Sequence, residues 1–163
     1  MRNATRREYA EMKGKNRWNR LRGAFLPSLF PEDFEDRVRY AEDCAPLATG
    51  LAGFENGHDL LGDGSLAGIP LPGHTRSQLG LLLRDGTGRL LLAGDACWKI
   101  EGLERRKQPS RVAAHLFADN RAYEETFFKL AELHHADPSL TIIPSHCVTT
   151  WQRIGNTRHV TNA

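Results

Sequence analysis

Two short phrases bracket what reads as a β-hairpin, and together they constrain the fold more than anything else in the chain. Pro72-Gly73-His74-Thr75 stands at the hairpin entrance and Ala93-Gly94-Asp95-Ala96 at its exit. Between them lie two apolar runs, residues 78–84 and 89–93, joined by the Gly-rich turn at residues 85–88. Leucine-rich runs of this length around such a turn predict paired antiparallel strands. A third phrase, residues 140–146, predicts another buried strand that ends in His146. Imidazole and carboxylate groups at strand ends are how a rigid sheet presents ligands to a divalent cation. His74, Asp95 and His146 therefore read as one metal site. A glycine before each of the first two, Gly73 and Gly94, lets the backbone turn sharply there.

The remaining elements follow from pattern and punctuation. Residues 4–22 predict one helix, with Thr5 as its cap and Glu8 three residues on. Pro27 and Pro31 end it, and residues 31–36 predict an acidic turn or short helix. Residues 44–58, rich in Gly and Ala, predict short strands, and residues 66–71 a strand leading into Pro72. Residues 99–110 are rich in charge and read as an exposed loop. The clearest helix spans residues 119–135, where Tyr123, Phe127, Leu130, Ala131 and His134 share a face. Asp137-Pro138 stops it before the last strand. Strands followed by a helix and a further strand suit an α/β arrangement, with helices outside a mixed sheet.

Composition excludes several classes. With 163 residues, 40% hydrophobic and 26% charged, the chain fits one globular domain. No run approaches the ~18 apolar residues of a membrane span. Three scattered cysteines, Cys44, Cys97 and Cys147, suit a reducing cytoplasm better than a secreted disulfide framework. The net charge of +2 is uneven, because residues 1–22 hold eight Arg or Lys against two Glu. That charge reads as a solvated helix face, since no nucleic-acid module accompanies it.

The order and spacing of the motifs, 21 residues from His74 to Asp95 and 51 more to His146, resemble the second half of the metallo-β-lactamase fold superfamily. That family carries a PGHT-type loop, a GDA-type loop and a late strand-end histidine. The likeness covers roughly residues 45–150, and the approach through residues 58–66 also resembles the family's. The family's first metal motif, His-x-His-x-Asp-His, has no counterpart here, and the first histidine is His58. The resemblance thus implies a single domain over 1–163, N-terminally truncated. The fold class it implies is an α/β, αββα sandwich reduced to its C-terminal sheet-and-helix half.

For chemistry, the resemblance assigns His74 to a first metal, Asp95 as the bridging and catalytic ligand, and His146 to a second. The implied cofactor is Zn²⁺, one or two ions, with Fe or Mn as alternatives, weakly held because ligands are missing. The implied activity is hydrolysis of a lactone, ester or thioester by metal-bound hydroxide. The alternative is a non-catalytic truncated remnant with weak or no metal binding. The expected partner is a small-molecule substrate, with no nucleic acid and no membrane, in the cytoplasm. Lactonase-type members place a tyrosine shortly after the GDA aspartate. Here Cys97-Trp98 stands there, and Trp98 is expected to wall an acyl chain. Cys97 is the cysteine expected to face the site, Cys147 to turn away, and His115 is a further candidate for the pocket.

Overall fold

The computed structural model describes residues 3–4, 6–22, 25–84, 86, 88–110, 117–152 and 154. Along the chain the main elements are β1 (Asn3–Ala4), α1 (Arg6–Gly14), α2 (Arg17–Arg22), α3 (Phe34–Arg37), β2 (Arg39–Tyr40), β3 (Ala45–Ala48) and β4 (Asn56–Asp59). There follow β5 (Leu66–Pro70), β6 (Leu79–Arg84), β7 (Arg89–Gly94), α4 (Ile100–Glu104), α5 (Asn120–Ala136) and β8 (Leu140–Pro144). The expected cap Thr5 and the candidate His115 lie outside the described residues.

Strands β3 to β8 form a six-stranded sheet in sequence order. Every neighbouring pair is antiparallel except β7 and β8, which are parallel. A parallel neighbour cannot be reached by a tight turn, so the chain crosses over through α4 and α5 before returning as β8. Alternation along the strands sends Leu82, Leu91, Ala93 and Ile142 to one face, where each is at most 2% exposed. Helix α5 covers that face with Tyr123, Phe127, Leu130 and Ala131. Four buried residues at helical spacing are the stripe expected of a helix lying on a sheet. On the opposite face Leu81 is paired with Leu92 and Leu83 with Leu90, all half-buried.

Helix α5 begins and ends where the sequence indicates. The Asp119 carboxylate accepts a hydrogen bond from the Ala122 N–H at 3.0 Å, as an N-cap does. Its last turn carries His134 and His135. Burial, and the neighbouring His135, hold His134 below the ordinary histidine range.

Two expectations are corrected. The single helix over residues 4–22 is two helices, because Gly14 ends the first and the Asn16 carboxamide caps the second by accepting from Asn19 N–H at 2.9 Å. The loop over 99–110 contains α4, which forms because Ile100 and Leu103, three apart, are 4% and 0% exposed. The charged residues between and after them hide that short apolar stripe in the sequence.

The basic N-terminal residues meet the chain's own acidic segment. Arg6 pairs with Asp43, Lys13 with Glu35, and the Tyr9 hydroxyl donates to Glu35 at 2.9 Å. The Tyr9 ring sits among Phe25, Phe30, Phe34 and Tyr40. These ion pairs are more than half exposed and contribute little. Among the described residues no helix is long and apolar enough to cross a membrane.

The crossover is tied down at its far end. Arg89 at the start of β7 meets Asp137, just after α5, at 2.6 Å, and the Ser139 hydroxyl donates to the same carboxylate at 2.7 Å. The Ser139 hydroxyl and the Arg89 charge together hold the Asp137 carboxyl below its ordinary range, outweighing the opposing effect of burial. A depressed folded pKa adds stability above the unfolded value of about 3.9 and loses it as pH falls through the folded value. Asp137→Asn is therefore expected to cost about 1 kcal/mol at pH 7. In thermal melts recorded from pH 7 to pH 2, the gap between variant and parent should close below about pH 4.

Candidate metal centre

The loop that carries His74 is built against the N-terminus of α5. Gly73 has φ of +138°, and a Cβ added there would lie 2.3 Å from the Tyr123 Cα and 2.4 Å from its backbone nitrogen. Only glycine fits so close to another backbone. The Gly73 carbonyl accepts from Asp119 N–H at 3.0 Å and the His74 carbonyl from Ala118 N–H at 3.1 Å. The Thr126 hydroxyl donates to the Pro72 carbonyl at 2.7 Å, and Gly73 N–H to the Thr75 carbonyl at 2.9 Å. His74 is thus fixed by backbone contacts on both sides.

Asp95 follows Gly94, whose φ of +57° turns the chain off the end of β7. The Gln78 side chain reaches across from the start of the hairpin and donates to the Ala93 carbonyl at 3.0 Å. The register between β7 and β8 shifts at Leu92/Gly94, and Ser145 N–H donates to the Gly94 carbonyl at 3.2 Å. Those contacts lay the residue before His146 directly over the residue before Asp95.

The three expected residues come together at one sheet edge. His74 Nδ1 lies 3.8 Å from Asp95 Oδ2, and His146 Nε2 lies 3.1 Å from Asp95 Oδ1. Each imidazole meets a different oxygen of one carboxylate. The side chains of His74 and Asp95 are 27% and 30% exposed and that of His146 65%, so the site opens on the His146 side. Asp95 Oδ1 is itself buried and has no hydrogen-bond partner, because His146 approaches it without hydrogen-bond geometry.

Two donors of one tetrahedral Zn²⁺ at 2.0–2.2 Å stand about 3.3–3.6 Å apart, and the 3.8 Å and 3.1 Å imidazole–carboxylate separations fall just outside that range on either side. The orphaned carboxylate oxygen and the two imidazoles are donors of the type a divalent cation takes, but they do not close a site. Among the described residues, no three His, Cys, Asp or Glu side chains gather so as to hold a metal ion.

Aromatic side chains wall the site. Phe117 lies edge-on to His74 with ring centres 5.9 Å apart, and Trp98 edge-on to His146 at 6.3 Å. Trp98 and Phe117 meet at 6.0 Å, and Phe117 stacks on Tyr123 at 3.8 Å. Phe117, Tyr123 and Gln78 shape the site without having been singled out as site residues. Tyr123 is read as a core residue from its helical stripe, and nothing in the sequence marks its ring as the support of Phe117. Both cysteines are buried. Burial, with Cys147 and Asp95 nearby, pushes the Cys97 thiol up to about 12. Cys147 accepts from the Thr150 hydroxyl at 3.1 Å.

Solved structures share this architecture. One is an N-acyl homoserine lactone hydrolase holding its product N-hexanoyl-L-homoserine at the catalytic metal centre. It is 14% identical with a TM-score of 0.55, over 93% of this chain and 48% of that one. An AiiA variant from B. thuringiensis, with N-decanoyl-L-homoserine in its active site, matches with the same figures. A quorum-quenching N-acyl homoserine lactone lactonase is 15% identical with a TM-score of 0.53, over 90% of this chain and 48% of that one. The fold is that of the metallo-β-lactamase-type lactonases. The chain spans about half the length of these structures. No protein-family model and no curated protein matches the sequence.

The contact between Gly73 and Tyr123 sets the position of His74, so it offers a direct test. Gly73→Ala should destabilise the protein by about 3 kcal/mol, because both the positive φ and the backbone overlap oppose a methyl group. Urea unfolding should show the loss as a lower midpoint with an unchanged slope.

Proposed function

We propose that His74, Asp95 and His146 form one side of a metal centre in a hydrolase acting on lactone or ester bonds. The observation that carries this reading is the placement of two imidazoles on the separate oxygens of one carboxylate at a single sheet edge. Asp95 would bridge two cation positions, with His74 on one and His146 on the other. A bound divalent ion of this kind polarises a carbonyl and makes water acidic enough to attack it near neutral pH. Zn²⁺ suits the imidazole and carboxylate donors, and Fe or Mn would also accept them.

The chain's own residues define the rest. His74 is held by the contacts of its loop with α5, and Asp95 by the turn at Gly94. Trp98 and Phe117 give the site an apolar wall that would take an acyl chain and keep water from one side of the ester carbonyl. The solved neighbours act on N-acyl homoserine lactones. A likeness of fold does not transfer a substrate by itself, and the apolar wall is what favours a hydrophobic lactone or ester over a small polar thioester. The reading places the protein in the cytoplasm as one domain over 1–163, in line with its unpaired cysteines.

A second reading, a non-catalytic chain that binds metal weakly or not at all, is favoured by the lack of a closed three-donor cluster among the described residues. One experiment separates the two. On the hydrolase reading, dialysed protein retains less than one equivalent of Zn²⁺ per chain, and Asp95→Ala weakens that binding at least tenfold. Any turnover of a hexanoyl lactone or aryl ester is then lost both with a chelator and in Asp95→Ala. Zinc content unchanged by Asp95→Ala, with no turnover, establishes the second reading. Turnover that survives both treatments excludes the metal mechanism.

A further inference from the structure

Three large apolar side chains stand in solvent within one short stretch, residues 18–29. Trp18 on α2 is 77% exposed, and Leu26 and Leu29 just beyond that helix are 39% and 71% exposed. Phe25 N–H donates to the Arg20 carbonyl at 2.8 Å, which folds the chain back at the end of α2. Leu26 and the tight turn Pro27–Leu29 follow directly from that fold. The rings of Phe25, Phe30 and Phe34 turn inward onto Tyr9 and shield one another, while Leu26 and Leu29 remain outside. Exposed apolar side chains gathered in one place, unlike scattered ones, mark a contact surface.

The charge around them has one sign. Residues 12–30 carry five Lys or Arg and no Asp or Glu. Lys13 is matched by Glu35. Lys15 and Arg17 are exposed and make no ion pair among the described residues. Two unmatched cations thus flank Trp18 on the chain, next to the leucines.

A partner has to satisfy both features. A nucleic acid would meet the cations but offers no apolar layer for two leucines. A second copy of the chain would cover the leucines but set like charges against each other. The surface of an anionic bilayer places phosphates directly above hydrocarbon, and tryptophan is a side chain that favours that boundary. We propose that α2 and the turn after it dock on an anionic phospholipid surface. Trp18, Leu26 and Leu29 enter the headgroup layer, and Lys15 and Arg17 meet the phosphates. The contact is peripheral and reversible and needs no spanning helix. It uses no residue of the Asp95 site, so it stands whether or not the hydrolase reading holds.

The test is co-sedimentation of the full chain with vesicles. Vesicles of phosphatidylglycerol and phosphatidylcholine in equal parts are expected to carry the protein down at low salt, and pure phosphatidylcholine to leave it in solution. Arg17→Gln should weaken binding about fivefold, the effect of one cation at such a surface. Trp18→Ser should weaken it at least as much, because its ring then no longer enters the headgroup layer. Both positions are exposed, so both variants should keep the parent's circular dichroism and melting temperature. Absence of binding to the anionic vesicles, equal binding to the neutral ones, or unchanged binding in either variant would overturn the proposal. So would tighter binding to a DNA duplex than to the anionic vesicles, or a dimer that Trp18→Ser dissociates.

Discussion

The seating of the Pro72–Thr75 loop on the first turn of α5 is the contact on which the rest of the site depends. Gly73 lies so close to Tyr123 that no side chain fits between the two backbones. The same approach lets the carbonyls of Gly73 and His74 accept the N–H groups of Asp119 and Ala118. Asp119 is also the helix cap, so a single turn of chain starts α5 and fixes His74. Tyr123 then turns its ring under Phe117, and Phe117 meets both His74 and Trp98. Position and wall of the site come from one packing event.

The parallel pairing of β7 and β8 supplies the other half of the geometry. Parallel neighbours end on the same side of a sheet, so the residues just beyond Gly94 and Pro144 emerge together. Asp95 and His146 meet for that reason, although 51 residues separate them. The antiparallel pairing of β5, β6 and β7 brings the chain before β6 and the chain after β7 to that edge as well. The sheet brings the chain segments to one edge, and the contact of the His74 loop with α5 completes the approach.

The hairpin, the late strand and α5 were legible because each carries a strong local signal: apolar runs around glycines, or a helical stripe between Asp119 and Asp137-Pro138. The convergence of Asp95 and His146 was legible because each follows a strand end, and that of His74 because its loop enters the hairpin. What escaped was short or cooperative. Helix α4 has only Ile100 and Leu103 to mark it, and the break between α1 and α2 turns on Gly14 and Asn16 inside a run of good helix formers. Gln78 looked like the first residue of a strand, yet its side chain ties the entrance of the hairpin to its exit. Such a role depends on the distance between two loops, which no spacing in the sequence encodes.

Electrostatics of the assembled site follows from the same placement. Asp95 Oδ1 is buried with no donor aimed at it, a costly state for a carboxylate oxygen. His146 Nε2 stands 3.1 Å away but not in hydrogen-bond geometry, so that oxygen keeps no hydrogen-bond partner. His74 Nδ1 stands 3.8 Å from the other oxygen, Oδ2. Among the described residues no group of three or more His, Cys, Asp or Glu side chains is arranged to hold a metal ion. The sheet and the loop before it gather two imidazoles around one carboxylate and leave one of its oxygens unsatisfied, and on that feature the proposed metal centre rests.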